Sequence, residues 1–250
     1  RSLRIQVYYQ PIVRTMTKTV CNGEVLVRWI DPERGVISPS RFIPILEETG
    51  QIYKMDLYVF EEACKGYSSG TKNGREMVPV SVNLSRKDFL HDDLPDTIDK
   101  ISRKYGVPRE FTNIEITESA FVKNIDKVDM LIERFHHMGY KLWMDDFGSG
   151  YSSLGVLKNY SFDEIKIDMS FLREFDEKSR KIITSIVRMA KALGISTLAE
   201  GVETEEQYLF LRKIGCEKIQ GYYFGRPRPL DESLEQLKHR GLAKEPAKWR

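Results

Sequence analysis

Met144-Asp145-Asp146-Phe147-Gly148-Ser149-Gly150-Tyr151-Ser152-Ser153 is the stretch on which the reading of this 250-residue chain turns. The apolar run just before it, 140–144, has the character of a buried strand. Two adjacent carboxylates stand where that strand gives out, and a loop rich in Gly and Ser follows. Adjacent side chains at a strand end splay apart. Asp145 and Asp146 are therefore expected to reach two points about one pocket mouth, which suits two metal ions better than one. Taken alone, the same residues would also serve as a polar turn closing a strand. The rest of the chain decides between these readings.

Working outward, strand-like runs rich in Val, Ile and Tyr occur at 5–9, 24–29, 77–83, 113–117, 141–145, 164–168, 196–200 and 218–224. Helical signals lie between them. Ser38-Pro39 followed by Phe42, Ile43, Leu46 and Gly50 gives a cap, a first-turn proline, an apolar stripe and a C-terminal glycine. Val128, Leu131, Ile132, Phe135 and Met138 trace one face ending at Gly139, and Ile182, Ile183, Ile186, Val187, Ala190 and Leu193 another ending at Gly194. Thr204 and Gln207 form a capping-box pair for a helix that stops at Gly215. The stretch 68–74 reads as an exposed loop. The part after Pro229 reads as a helix over 231–241 and then a charged tail.

Eight strands alternating with helices over this length predict a single α/β domain, a TIM-type (β/α)8 barrel. An open doubly wound sheet is the competitor, but G-x-G-x-x-G and Walker loops are absent. Hydrophobic content of 41% and charged content of 30% describe a globular chain. A net charge of +2 argues against a general DNA or membrane binder. No apolar run approaches the roughly 18 residues of a membrane span. Membrane attachment is therefore expected only through other domains. Three scattered cysteines and four histidines make no zinc or disulfide pattern, which favours the cytoplasm. A chain opening Arg1-Ser2-Leu3 is expected to be a module excised from a longer protein.

The sharper signal is what the strands carry. Glu115 lies inside Ile114-Glu115-Ile116 and Lys166 inside Ile165-Lys166-Ile167, so their neighbours face the opposite way. Glu24 begins one strand, Asn83 and Glu200 end two others, and Gln220 lies in the last. Charges inside a closed barrel are costly unless paired or bound to metal. Glu24, Glu115, Asp145, Asp146 and Glu200 would converge on one mouth, where Lys166 alone cannot neutralise five carboxylates. A ligand set of carboxylates and amides without Cys or His selects hard ions, Mg2+ or Mn2+. A pair of such ions is the usual device for phosphodiester hydrolysis.

The ordered motifs Gln10-Pro11-Ile12, Glu24-Val25-Leu26-Val27-Arg28-Trp29, Asn83-Leu84-Ser85, Glu115-Ile116-Thr117-Glu118-Ser119, Asp145-Asp146-Phe147-Gly148-Ser149-Gly150, Lys166-Ile167-Asp168, Glu200-Gly201-Val202-Glu203 and Gln220-Gly221-Tyr222 resemble the EAL-domain phosphodiesterases. The resemblance runs over about 8–229. It implies a modified TIM barrel that hydrolyses cyclic di-GMP to linear pGpG with two Mg2+ or Mn2+ ions. On that resemblance Glu24, Asn83, Glu115 and Asp145 hold one ion. Asp145 and Asp146 hold the second, joined by Glu200 directly or through water. Glu200 is the candidate base, Lys166 orients the attacking water, and Asp146 belongs to the catalytic set. Gln10, Leu26 and Arg28 contact the dinucleotide, and Gln220 completes the floor. Glu203 braces the 147–153 loop, with Phe147 and Ser149, and this loop couples the site to dimerisation. A homodimer and an adjacent sensory or cyclase domain are the implied partners.

Two departures stand out. Val25 replaces the family's usual Ala, and strand alternation turns it away from Glu24 and Leu26 toward the helix layer. Ser149 replaces the usual Thr and keeps the hydroxyl. The rival reading within the family is a catalytically silent cyclic di-GMP receptor. Gln10 and Gln220 read alternatively as barrel-interior amides, Arg28 and Lys166 as structural ions, and Asp168 as a supporting residue behind the metal ligands.

Overall fold

The computed structural model describes residues 4–122, 125–149 and 153–245. Gly150, Tyr151 and Ser152 of the predicted site loop, and the last five residues of the charged tail, lie outside the described residues.

Nine strands form one sheet: β1 (Arg4–Arg14), β2 (Val20–Asp31), β3 (Gly35–Ile37), β4 (Val80–Leu84), β5 (Thr112–Thr117), β6 (Lys141–Phe147), β7 (Glu164–Ile167), β8 (Ser196–Ala199) and β9 (Lys218–Gln220). β1 pairs with both β2 and β9, which closes eight strands into a barrel and leaves β3 as a hairpin extension of β2. The eight predicted strands are all present. The connection between the first two departs from the expected alternation. β1 and β2 form a hairpin, and β1 runs antiparallel to both its neighbours, while β2 and β4–β9 are mutually parallel. Antiparallel strands need only a tight turn, whereas parallel ones need a crossover. The turn is closed by Lys18 N–H donating to the Arg14 carbonyl at 2.9 Å, with Lys18 at φ 56.

The helices are α1 (Pro39–Glu48), α2 (Ile52–Lys72), α3 (Leu94–Tyr105), α4 (Ile125–Met138), α5 (Ser153–Asn159), α6 (Ser170–Arg173), α7 (Glu177–Ala192), α8 (Glu205–Ile214) and α9 (Leu230–His239). The predicted apolar faces of α4 and α7 are buried except at Leu193, which is exposed, while Met138 and Ile182 are partly buried. Val128, Leu131, Ile132 and Phe135 of α4, and Ile183, Ile186, Val187 and Ala190 of α7, join the main core outside the barrel wall. The capping box opening α8 is formed, with Gln207 N–H donating to Thr204 Oγ1 at 3.2 Å and Gln207 Oε1 accepting from Thr204 N–H at 3.0 Å.

Two local expectations are corrected. Residues 68–72 belong to α2 rather than to an exposed loop. Gly70 is there for close approach, since a Cβ would lie 2.4 Å from Met77 Sδ. The last strand ends at Gln220 and not at 224. At Gly221 the chain presses on Val202, whose carbonyl oxygen would lie 2.1 Å from an added Cβ. Glu24 is also interior to its strand, which begins at Val20.

A separate small apolar cluster of Ile12, Cys21, Trp143 and Leu198 is fully buried. Ile12, Trp143 and Leu198 each stand two residues from a polar site residue (Gln10, Asp145, Glu200). Strand alternation therefore points them into the barrel. They plug its middle and separate a polar layer at the C-terminal mouth from another at the opposite pole.

Candidate active site

Lys166 on β7 is the centre of the upper layer. Its Nζ lies 2.6 Å from Glu115 Oε2, 2.9 Å from Asp145 Oδ1, 2.9 Å from Glu200 Oε1 and 3.5 Å from Glu24 Oε1. These come from β5, β6, the end of β8 and β2, so register across the barrel brings them together. Glu24 accepts from Asn83 Nδ2 at 3.1 Å and from Gln220 Nε2 at 2.5 Å. Gln220 also donates to Gln10 Oε1 at 3.1 Å, and Gln10 donates to the Gly225 carbonyl at 3.2 Å. Glu24, Asn83, Glu115, Asp145, Lys166, Glu200, Gln10 and Gln220 thus form one connected cluster.

Asp146 reaches the cluster by a route that differs from strand-end splaying. Pairing of β6 with β7 jumps from Met144–Ile165 to Phe147–Ile167, so two residues, Asp145 and Asp146, stand opposite Lys166 alone. This is a β-bulge, which re-aims a side chain. Asp146 adopts φ 56, uncommon for a residue with a side chain and tolerated best by Asp, Asn and Gly. Its N–H donates to Asp145 Oδ1 at 3.0 Å. Ligand atoms of Asp145, Asp146 and Glu200 then lie within 4.8 Å of one another.

The electrostatics follow from crowding. Burial raises the Glu115 carboxyl well above its ordinary range, and Glu24 and Asp145 add to this against the opposing charge of Lys166. Burial also lifts Glu200 to about 8, opposed by Lys166 and reinforced by Asp145 and Glu24. Asp146 rises to about 6 through burial and the charges of Asp145 and Asp168, its hydrogen-bonded neighbour. Burial alone would lower the Lys166 ammonium, but the surrounding carboxylates outweigh it and raise its pKa. One ammonium among so many acids leaves the layer short of positive charge. Glu115 Oε1 and Gln220 Oε1 are buried without a hydrogen-bond partner. Unpartnered acceptors in an all-oxygen set are what hard divalent cations take up.

The remaining predicted residues are less tightly drawn in. Leu26 is half-buried on β2, two residues from Glu24. Arg28 folds back, donating to the Val27 carbonyl at 2.8 Å with its guanidinium 5.8 Å from the centre of the Tyr8 ring. Phe147 is buried, while Ser149 is exposed with its N–H on the Asp146 carbonyl at 3.0 Å. Glu203 is exposed, and its N–H donates to Gln207 Oε1 at 2.8 Å. Val25 packs in the outer core, as alternation required. Tyr222 of the Gln220-Gly221-Tyr222 motif, expected from the sequence to pack, is exposed, and Arg226, which the sequence reading missed, places its guanidinium 3.9 Å from the ring centre. The spacing of an aromatic and an arginine after Gln220 was the available signal.

The EAL domain family pattern matches residues 1–227. The chain belongs to the EAL domain family. It is 38% identical over 239 residues to cyclic di-GMP phosphodiesterase NbdA of Pseudomonas aeruginosa, covering 95% of this chain and 30% of that protein. To the bifunctional diguanylate cyclase/cyclic di-GMP phosphodiesterase MucR of the same organism it is 34% identical over 236 residues, 94% of this chain and 34% of that one. This EAL domain therefore spans about a third of the length of these relatives. Among solved structures it resembles the Pseudomonas aeruginosa MucR phosphodiesterase in complex with c-di-GMP. That match has a TM-score of 0.86 and 34% identity, and covers 91% of this chain and 93% of that one.

Proposed function

We propose that this EAL domain is a metal-dependent phosphodiesterase that opens cyclic di-GMP to linear pGpG. The observation that carries the reading is the convergence of Glu24, Asn83, Glu115, Asp145, Asp146 and Glu200 about Lys166 at the C-terminal mouth of the barrel. That face is where TIM-barrel enzymes place their chemistry. The similarity to NbdA and MucR, both named for cyclic di-GMP hydrolysis, supplies the substrate.

The all-oxygen donor set suits Mg2+ or Mn2+: Glu24, Asn83, Glu115 and Asp145 would hold one ion, and Asp145, Asp146 and Glu200 a second. Bound there, such ions lower the pKa of a water and neutralise charge gathering on the phosphate. The chain's own part is to bind, orient and move protons. Lys166 Nζ, fixed by carboxylates on four strands, directs a donor at the attacking water. Glu200 Oε1 or Oε2 accepts the water's proton. Gln10, Leu26 and Arg28 seat the dinucleotide, Arg28 swinging from its own backbone to a phosphate, and Gln220 keeps Glu24 aimed at the mouth. Glu203 braces the loop over 147–153 in a homodimer, and a sensory or cyclase domain elsewhere in the protein sets the activity in the cytoplasm.

The test is incubation with cyclic di-GMP and Mg2+ or Mn2+, with and without chelator, followed by chromatography. The expected result is pGpG with metal and none with chelator. Binding without product would make the domain a receptor, and faster turnover of another diester would move the substrate assignment.

A further inference from the structure

The carboxylates at the mouth do not exhaust the buried acids. Asp56 on α2 and Asp88, at the start of a short 3-10 turn (Asp88–Leu90), are both buried behind the end of β4, which carries Asn83. Both accept from the same backbone donor. Ser85 N lies 2.8 Å from Asp88 Oδ2 and 3.2 Å from Asp56 Oδ2. That shared donor brings the two carboxyls together, and Asp88 Oδ1 is left buried without a hydrogen-bond partner. Two ionised carboxylates cannot hold that arrangement in a buried site, so the pair carries one proton. Asp88 keeps it. Burial, reinforced by the neighbouring Asp56, pushes its carboxyl up to about 9. Burial raises Asp56 only to about 6, because its contacts with Asp88 and Ser85 oppose it.

The surroundings do not neutralise the pair. From α1, Glu47 adds a like charge that raises both. From the segment after β4, Arg86 lines the neighbouring cavity and Lys87 donates to the Glu47 carbonyl. Tyr53 of α2 stacks on His91 with ring centres 3.8 Å apart. Among the described residues no lysine or arginine forms an ion pair with Asp56 or Asp88. What the pair does is tie α2 and the 3-10 turn to Ser85, two residues beyond Asn83.

We propose that Asp56 and Asp88 are positioning residues that clamp the end of β4 to α2 through Ser85 N–H and so hold the Asn83 amide against Glu24 for metal uptake. The inference rests on the metal-dependent reading of the site. Asp88→Asn keeps a donor for Asp56 and an acceptor for Ser85, whereas Asp88→Ala removes both. Loss of a partner that orients a metal ligand typically costs about 10–100-fold in metal affinity. The Mn2+ concentration for half-maximal activity, and for the half-maximal rise in melting temperature, is accordingly expected to increase about tenfold or more in Asp88→Ala. In Asp88→Asn it should stay near wild type.

The pH profile gives a second readout. The folded chain holds a proton on Asp88 that the unfolded chain releases above about pH 4, so stability is full below that pH and declines as pH rises through 9. Without metal, wild type should lose more melting temperature across that range than Asp88→Asn, which lacks this proton but keeps the raised carboxyls of Glu115, Glu200 and Asp146. Three results would overturn the proposal: wild-type metal affinity in Asp88→Ala, equal damage in the Asn and Ala variants, or an alkaline decline unchanged in Asp88→Asn. If Asp88→Ala does not fold, the Asn variant's pH profile decides. A wild type that binds Mn2+ in the melting assay but makes no pGpG would sink the proposed reaction and leave the clamp standing, since the clamp is read by metal binding.

Discussion

At the C-terminal mouth one buried ammonium, Lys166, faces four carboxylates. At the opposite pole the half-buried Lys218 pairs, among the described residues, with Glu164 only and lies 4.6 Å from the centre of the Trp143 ring. Strand alternation makes the two poles neighbours, since Glu164 precedes Lys166 and Lys218 precedes Gln220 by two residues. Around Lys218 each buried or half-buried cation has its own carboxylate, Lys218 with Glu164 and Arg14 with Glu245, which is the form of structural ion pairs. The pole around Lys166 has an excess of acids that burial makes expensive. Such an excess persists where something outside the chain completes it, and the comparison locates chemistry without reference to any relative.

Three substitutions can break or sharpen that contrast. The largest expected effect is at the mouth. Glu24→Ala should lower turnover by at least about 10²–10³, the scale of one lost electrostatic contact in a reacting site, with the fold retained by circular dichroism. Activity within about tenfold of wild type would remove Glu24 from the metal ligands. Lys166→Met should reduce turnover by about 10²-fold, in the range of a lost acid–base or orienting group. It should also lower the melting temperature of the chelated protein and enlarge the rise on adding Mn2+, since divalent cations then supply the only counter-charge. A melting temperature indifferent to Mn2+ would count against ion binding at this layer.

The smallest effect on turnover is expected at the lower pole. Lys218→Met leaves Glu164 buried and unpaired, which should destabilise by about 3–5 kcal/mol while turnover stays within about threefold. For a chain of this size that is a drop of the order of 10 °C, read by thermal unfolding. A large loss of turnover with unchanged stability would reverse the assignment of the two poles.

How much of this was legible in the sequence depended on the range of the interaction concerned. Ile114-Glu115-Ile116 and Ile165-Lys166-Ile167 gave the inward direction of Glu115 and Lys166, because period-two alternation is a property of a few consecutive residues. The α8 capping box and the apolar faces of α4 and α7 were legible for the same reason. The helical run over 68–72 was not, because its Ser and Gly residues look like a turn and only contact with Met77 explains Gly70. The β1–β2 hairpin escaped an alternation rule that assumes crossovers. Asp56 and Asp88 gave no signal, since their pairing joins two segments about thirty residues apart through one backbone N–H.

The sequence by itself determined the barrel class, the set of inward oxygens and the family, all of which are written in local periodicity and in the order of short motifs. Only the tertiary structure decided that a bulge and a left-handed turn bring Asp146 beside Asp145, that four strands deliver their carboxylates to one ammonium, and that an acid pair stands behind Asn83. The physical reason is that register and closure are set by packing between segments remote in the chain. Charges meet, shift their protons and run short of counter-ions only after that packing has placed them.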